Sequence, residues 1–350
     1  MNKSDKKRRE PLTETQLLMT ITICIFVAMY LLAMIFLKGG FLHTQQLFDL
    51  LNDNASLIIV SCGLTIVMIG GGIDISVGAV TSLVVMCCVL YLNNGGNLFM
   101  SIIIALGIGL AFGLVHGLLV SYLEIQPFIV TLAGMFFARG MTTIIDNKVT
   151  GTVEPQKIAH EGFKSLQNVK IEIDWLGYTA KNGNHIPARM ELGVVVALIC
   201  VIVVFIILKY SRTGRGFYAM GGNQTSSLML GINVKRTRFI SYLLSGLLSG
   251  ISGYVFMMHT GAANATNAAG MEMNAIASSI IGGTLLTGGV GNVIGTFFGT
   301  LTLTTIKKIV VSSGLNDPWW QSITTGGMLC FFILLQSVVL RRREKKKKSE

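Results

Sequence analysis

The side chains with chemistry beyond packing are few, and the clearest of them stand inside long apolar stretches: Asp74, Ser76, Thr131 and Arg139. A polar or charged group in such a place needs a partner or contact with water. The sequence contains no Gly-Lys step of a phosphate-binding loop, no nucleophile elbow and no histidine pair at metal-ligand spacing. We therefore expect a chain that is not an enzyme, does not hydrolyse ATP itself and holds no metal or other cofactor.

The elements that position these residues are apolar helices. Of the 350 residues, 51% are apolar and 13% are charged, which is more apolar surface than one water-soluble core accommodates. Uncharged runs long enough to cross a hydrocarbon core of roughly 30 Å predict an all-α integral membrane protein, a bundle of about ten spans in a single domain covering 1–350. The predicted spans are Leu17–Leu37, Ala55–Ile73, Ile75–Leu92, Phe99–Leu123, Pro127–Ile145, Leu192–Leu208, Phe239–Met258, Met273–Thr287, Gly289–Ile306 and Trp319–Leu340.

The distribution of Lys and Arg predicts the orientation of the bundle. With ten spans, the N-terminal tail 1–16, the loop 209–238 and the C-terminal tail 341–350 lie on one side, and together they hold 18 of the 28 basic residues. The positive-inside rule makes that side cytoplasmic. The net charge of +11 is therefore read as a topology signal, and nucleic-acid binding is the weaker interpretation.

The segment 146–190 is predicted to be an external insert. It contains Pro155, a turn signal at 182–184 and a strand-like alternation over Lys170–Trp175. Two interpretations stay open: a small cap that meets an external partner, or a solvated linker.

Two glycine-rich stretches interrupt the apolar pattern, at 69–78 and at 280–295. Broken helices at membrane depth are tolerated where protein or a water-filled cavity surrounds them, so both breaks point to a pathway. The alternative is a pair of tight cytoplasmic hairpins in which Asp74 or Ser76 caps the following helix. Arg139 lies beyond the midpoint of its span, and Asp146 and Glu272 are its candidate partners, for structural pairing or beside a substrate.

Glycines four residues apart mark three of the predicted spans. Small residues on one helical face let two backbones approach closely, so these stripes predict a tight bundle. They are Gly109, Gly113 and Gly117; Gly246 and Gly250; and Gly295 and Gly299.

The basic loop 209–238 contains one short predicted helix. Asn223 is suited to cap its start, 224–230 form one or two turns, and Gly231 can take the left-handed conformation at its end. So short a helix is not stable alone, and its apolar residues Leu228 and Leu230, with Met220, favour contact with a partner protein. An ordinary surface loop is the alternative.

Four motifs give the chain a family resemblance: Gly71–Gly78, Pro127–Gly140, Gly214–Asn223 and Asn274–Gly289. In this order, with spans between them, they resemble the permease subunits of bacterial sugar ABC importers, the ribose and galactoside permease family, over nearly the whole chain. The stretches 131–140, 228–232 and 319–320 resemble most closely the galactofuranose-importing members. Asn274 departs from the family, which usually has aspartate there.

The resemblance implies a sugar importer permease in the bacterial plasma membrane, with both termini cytoplasmic. Its implied partners are cytoplasmic ATPase subunits, a second permease, either a related chain or a second copy, an external sugar-binding protein and a sugar. It identifies 209–238 as the loop that couples to the ATPase. A channel or facilitator that works without ATP is the alternative. The candidate coupling residues are Arg215, Tyr218, Gly221, Gly222, Asn223, Leu228, Leu230 and Gly231. The candidate pathway residues are Asn54, Asp74, Ser76, Phe128, Thr131, Phe136 and Arg139.

Overall fold

A computed structural model describes residues 14–36, 44–150, 156–179, 185–315 and 317–349. This part of the chain is mostly helical. It also contains two small antiparallel strand pairs, β1 with β4 and β2 with β3. The helices are α1 Glu14–Phe36, α2 Thr44–Ile69, α3 Val77–Asn93, α4 Leu98–Ser121, α5 Pro127–Thr150, α6 Glu161–Asn168, α7 Leu192–Tyr210, α8 Arg212–Gly222, α9 Gln224–Met229, α10 Val234–Thr260, α11 Met271–Ile281, α12 Val293–Ser312 and α13 Pro318–Ser349. The strands are β1 Gln156–Lys157, β2 Lys170–Thr179, β3 His185–Glu191 and β4 Ala262–Ala263.

Within the described residues, eight helices are long and apolar enough to cross a membrane: α1, α2, α4, α5, α7, α10, α12 and α13. The polytopic helical architecture is thus supported, but the count of ten full spans is not. The predicted spans Ile75–Leu92 and Met273–Thr287 correspond to the shorter helices α3, with 17 residues, and α11, with 11. The glycine break after Ile281 ends α11 six residues before the predicted Thr287, whereas α3 is only one residue shorter than the predicted span.

The helix α2 is also longer than predicted, since it starts at Thr44 rather than near Ala55. Charged residues had excluded this first part from the span, yet each carboxylate there has a partner. Asp49 accepts a hydrogen bond from Gln45 at 2.6 Å, and Asp53 pairs with Lys308 at 3.0 Å. Apolar composition alone misses such a helix because its polar groups are satisfied within the protein.

The core is organised around α2 and α10. The helix α2 is buried from Ala55 to Ile69 and packs against α7, α10, α11 and α12, while α10 packs against α2, α3 and α4. The glycine stripes lie where these helices approach most closely, as the spacing predicts. A methyl group on Gly246 would come within 2.6 Å of the Gly113 Cα, and one on Gly109 within 2.9 Å of the Gly250 Cα.

The bundle has two ends. The first, called the α8 face here, carries α8 and α9, the start of α1 and the end of α13; the second, the hairpin face, carries β2 and β3. The predicted strand at Lys170–Trp175 is confirmed as part of β2, which pairs with β3 from Lys170 opposite Glu191. This hairpin is fastened to α2, because the Asn52 side chain bonds both the Arg189 carbonyl and the Glu191 amide. Pro155 and the turn signal at 182–184 lie outside the described residues.

Candidate functional site

Two short helices begin at the same place inside the bundle. The helix α3 runs from Val77 toward the hairpin face, and α11 runs from Met271 toward the α8 face. Their first turns touch: a methyl group on Gly78 would overlap the Glu272 carboxylate and lie 3.2 Å from the carbonyl oxygen of Ala268. Because the first turn of a helix presents unpaired amides and a partial positive charge, the carboxylate of Glu272 is favoured at this junction.

Arg139 of α5 holds the connection between α10 and α11 against this junction. Its guanidinium donates to the carbonyl oxygens of Asn267 at 2.7 Å and Ala268 at 2.9 Å, and lies 3.8 Å from Glu272. Of the two predicted partners, Glu272 is therefore the nearer one, while Asp146 accepts a bond from the Ala265 amide in the same connection. The two short contacts of Arg139 are therefore hydrogen bonds to backbone carbonyl oxygens, and its contact with the Glu272 carboxylate is longer.

Asp74 and Ser76 form a buried polar cluster just below the junction. One carboxylate oxygen of Asp74 accepts from the Ser76 hydroxyl at 2.6 Å and from the Ser76 amide at 3.1 Å. The other accepts from the hydroxyl of Ser245 on α10 at 2.8 Å. His116 of α4 lies 3.4 Å from the Ser76 hydroxyl. This carboxylate therefore ties the broken segment 70–76 to α10.

The other predicted pathway residues do not all join this cluster. Thr131 is buried and lies 3.5 Å from the Ile73 carbonyl, so it lines the broken segment from the α5 side. Phe128 and Phe136 are on the outer side of α5, with 49% and 66% of their surface exposed. Asn54 lies elsewhere, in a cleft at the hairpin face. The structure thus brings Asp74, Ser76, Thr131 and Arg139 to one region and separates the three remaining residues from it.

The short helix predicted in the loop 209–238 is confirmed as α9. The Asn223 side chain accepts from the Ser226 amide at 2.8 Å, and Gly231 has a φ of 77° at its end. The exposed apolar surface is Leu228, Met229 and Leu230, called the α9 patch, with Met229 83% exposed. Met220 was wrongly assigned to it: this side chain is buried against Gly70, because α8 turns it into the bundle.

The end of α8 meets both glycine breaks directly. A methyl group on Gly221 would overlap the Ile69 carbonyl oxygen and reach 2.5 Å from the Gly289 amide, and one on Gly288 would lie 2.8 Å from the Gly71 Cα. The Gly289 amide in turn donates to the Ile69 carbonyl at 2.8 Å. We call these backbones, around Gly71, Gly221 and Gly288, the glycine hub. The loop carrying α9 therefore contacts the segments after α2 and α11 without intervening side chains.

The remaining coupling candidates surround the hub in different ways. Tyr218 donates its hydroxyl to the Gly291 carbonyl at 2.9 Å. Burial raises the pKa of Tyr218 to about 12, so the hydroxyl keeps its proton and stays a donor. Arg215 is exposed and binds the Tyr210 carbonyl at 3.2 Å. Gly222 has open space where a side chain would stand, so it belongs to the surface around the hub.

Sequence reasoning missed several residues that hold the site together. Ser245 and Tyr242 face the broken segment from α10, and the Tyr242 hydroxyl lies 3.4 Å from the Ile73 carbonyl. In the sequence these two residues are marked only as polar positions on the helical face that also carries Gly246. Such positions are ordinarily interpreted as helix packing. In the described ranges, no group of three or more His, Cys, Asp or Glu side chains is arranged to hold a metal ion.

Comparison with known proteins agrees with this architecture. A family model described as branched-chain amino acid transport system / permease component matches residues 46–333. The chain is 35% identical to the fructose import permease protein FruG of Bifidobacterium longum, over 85% of this chain and 84% of that one. It is 36% identical to the inner membrane ABC transporter permease protein YjfF of Escherichia coli, over 86% of each. The ribose import permease protein RbsC of Escherichia coli is 31% identical, over 76% of this chain and 78% of that one. No solved structure matches the chain.

The family match spans most of the chain, including the junction, the glycine hub and the loop with α9. All three relatives are named as permeases, two of them as import permeases, and each aligns over most of its own length as well. The chain therefore belongs to the branched-chain amino acid transport system / permease component family, among the permeases of sugar ABC importers.

Proposed function

We propose that this chain is the membrane permease of an ATP-driven sugar importer. Separate ATPase subunits dock on the α9 patch, a second permease, related or identical, completes the pathway, and an external binding protein delivers the sugar. The observation that carries the proposal is the glycine hub: the loop with the α9 patch meets the two broken segments that lead to the junction of α3 and α11. A displacement of α9 is therefore passed on to both segments.

The α9 patch has the features of a docking surface. Leu228, Met229 and Leu230 are adjacent and more than half exposed, on a helix too short to be stable by itself. Exposed basic residues lie around it, among them Arg215 and Arg236. An apolar centre with a charged rim is typical of protein interfaces. The loop 209–238 carries six Lys and Arg residues, which by the positive-inside rule favours a cytoplasmic position for this face. ATPase subunits are found on that side.

The pathway follows from the same geometry. Asp74, Ser76, Thr131 and Arg139 gather where α3 and α11 begin. A neutral sugar needs hydrogen bonds, and these polar side chains offer them. Alternating access would open the junction first to one face and then to the other.

The sugar we propose is a monosaccharide. Fructose and ribose appear in the names of two relatives, whereas the stretches 131–140, 228–232 and 319–320 favour galactofuranose by their resemblance. Uptake of these three sugars by the intact complex in vesicles separates the candidates, with galactofuranose expected to be preferred at least about tenfold.

The experiment that tests coupling replaces Leu228 and Leu230 together by Asp in the assembled transporter. Burying two carboxylates in an apolar interface is unfavourable, so we expect ATP-dependent uptake to fall at least about a hundredfold while membrane insertion is unchanged. The matched control is Thr225→Asp, which adds a carboxylate to the exposed first turn of the same helix. Normal uptake in the Leu228/Leu230 variant would contradict the docking role.

ATP dependence tests the alternative of a facilitator. Vesicles with the complete complex should accumulate sugar only when ATP reaches the ATPase side. Equal sugar entry without ATP would overturn the importer proposal. In a second measurement, cysteines at 74, 76 and 131 should react with water-soluble reagents in one nucleotide state more than in the other; no reaction in either state would remove these residues from the pathway.

A further inference from the structure

A polar cleft of about 400 Å³ opens at the hairpin face, apart from the junction and the glycine hub. It lies between the first part of α2, the last turns of α12 and the start of α13. Its volume accommodates one monosaccharide-sized solute. The polar residues that line it include Asp53, Asn54, Lys307, Lys308, Ser312 and Gln321.

The charges in this cleft do not cancel. Lys308 lies 3.0 Å from Asp53, and His259 lies 3.8 Å from the same carboxylate. Lys307 donates at 2.6 Å to the side-chain oxygen of Asn274, a neutral amide. Within the described residues no carboxylate lies within 4 Å of the Lys307 ammonium. His259 also contacts Glu191 at 2.7 Å, outside the cleft. Among the charged residues that line the cleft, two lysines therefore face one carboxylate, that of Asp53.

Lys307, which contributes the excess positive charge of the cleft, lies well inside its helix. It lies five residues before the end of α12, about 8 Å along the helix, and Asp53 lies nine residues into α2, about 14 Å from its start. Charged groups at such depth face a partner or a water-filled cavity and mark binding sites more often than chance. Lys307 faces the cleft. Its protein partner is the neutral amide of Asn274, which offers a dipole but does not neutralise the ammonium charge as a carboxylate would.

We propose that this cleft binds a small monoanionic solute, a sugar acid of monosaccharide size, with Lys307 as the ligand of its carboxylate. Lys308 stays engaged by Asp53, so a single negative charge completes the site. Asn54, Ser312 and Gln321 line the same cleft and offer hydrogen bonds to hydroxyl groups. The neutral amide at Asn274 is the feature that keeps Lys307 available, because an aspartate there would form an ion pair with it.

Calorimetric titration of the full chain, held in phosphatidylcholine nanodiscs, tests this site with galacturonate and with galactose. We expect galacturonate to bind at least about tenfold more tightly, and its affinity to fall as salt rises. Asn274→Asp should weaken galacturonate binding at least about tenfold without affecting folding, because the new carboxylate pairs with Lys307. Lys307→Met should have a similar effect.

The matched control is Lys235→Met, which removes a lysine that pairs with Glu124 at the α8 face and should leave galacturonate binding unchanged. Equal affinities for galacturonate and galactose, or an unchanged affinity in Asn274→Asp, would overturn the proposal. Nanodiscs that contain phosphatidylglycerol test whether the anion comes from a lipid headgroup instead. Loss of galacturonate binding in these nanodiscs would mean that the anionic headgroup occupies the cleft, and it would overturn the proposal of a soluble sugar acid. Retained binding supports the sugar acid.

Discussion

The glycine hub and the junction of α3 and α11 are both breaks in helical structure, but they are built from different contacts. At the hub, backbone meets backbone, and Gly221 and Gly288 leave no room for a methyl group. At the junction, Arg139 and Glu272 bridge the elements with side chains, and Arg139 uses two carbonyl oxygens as partners. Backbone packing transmits displacement directly, whereas side-chain bonds can be exchanged. The hub is therefore suited to transfer movement and the junction to open and close.

Gly221→Ala should produce the largest effect and tests the rigid part of this comparison. The added methyl overlaps the Ile69 carbonyl, which is backbone and cannot move aside. We expect the loss of nearly all ATP-dependent uptake, with a destabilisation of roughly 1–3 kcal/mol, typical of overpacking. Gly222→Ala is the matched control, since nothing stands within 4 Å of its added methyl. Equal uptake in both variants, measured in vesicles with ATP, would contradict the hub.

Arg139→Met tests the exchangeable part. It removes two hydrogen bonds to carbonyl oxygens and the approach to Glu272, and each charge-assisted hydrogen bond is worth about 1.5–3 kcal/mol. We expect the unfolding temperature to fall and sugar entry to become less dependent on nucleotide, because the connection from α10 to α11 is released. Arg139→Lys retains the charge but not the two-pronged geometry, so it should recover only part of the effect. If Arg139→Met leaves both the nucleotide dependence of sugar entry and the unfolding temperature unchanged, the junction has no role in transport.

Ser245→Ala should have a smaller effect within the buried cluster below the junction. Asp74 loses one of its three hydrogen bonds, which costs about 1–2 kcal/mol. Thermal unfolding of the purified chain measures it. Ser249→Ala serves as the control, because among the described residues that hydroxyl bonds only within its own helix, to the Ser245 carbonyl. A cost no greater than that of the control would show that Asp74 does not depend on α10.

The smallest effect is expected at the α8 face, where Glu124 and Lys235 pair at 2.8 Å. The hydrogen bond and charge of Lys235 lower the pKa of Glu124 below its usual 4.5. A carboxylate whose pKa is lowered on folding stabilises the fold above pH 4.5, and this contribution is lost as the pH falls through the lower, folded value. In Lys235→Met the pKa of Glu124, followed by NMR of labelled glutamate, should rise while uptake is unchanged. An unshifted pKa would show that the pair is absent in solution.

Much of the helical bundle could be predicted from the sequence, since apolar runs, glycine stripes and the cap at Asn223 act locally. The site could be predicted only in part. Asp74, Ser76 and Arg139 are conspicuous because they are polar in apolar surroundings, but their partners Ser245 and Ala268 are contributed by distant helices and by backbone carbonyls. The early end of α11 at Ile281 could not be predicted from composition either, because Gly282 and Gly283 interrupt an apolar segment. Composition shows how apolar a segment is, but it does not show where in the bundle the helix begins or ends.

The central position of α2 has a consequence for how the protein enters the membrane. Its first half carries Asp49, Asn52, Asp53 and Asn54, and these groups find their partners on β3, α12 and elsewhere on α2 itself. The strand β3 and the helix α12 are synthesised more than a hundred residues later. Until then, this part of α2 gains little from contact with lipid. The polar first part of α2 therefore reaches its final contacts only after the second half of the chain has been made.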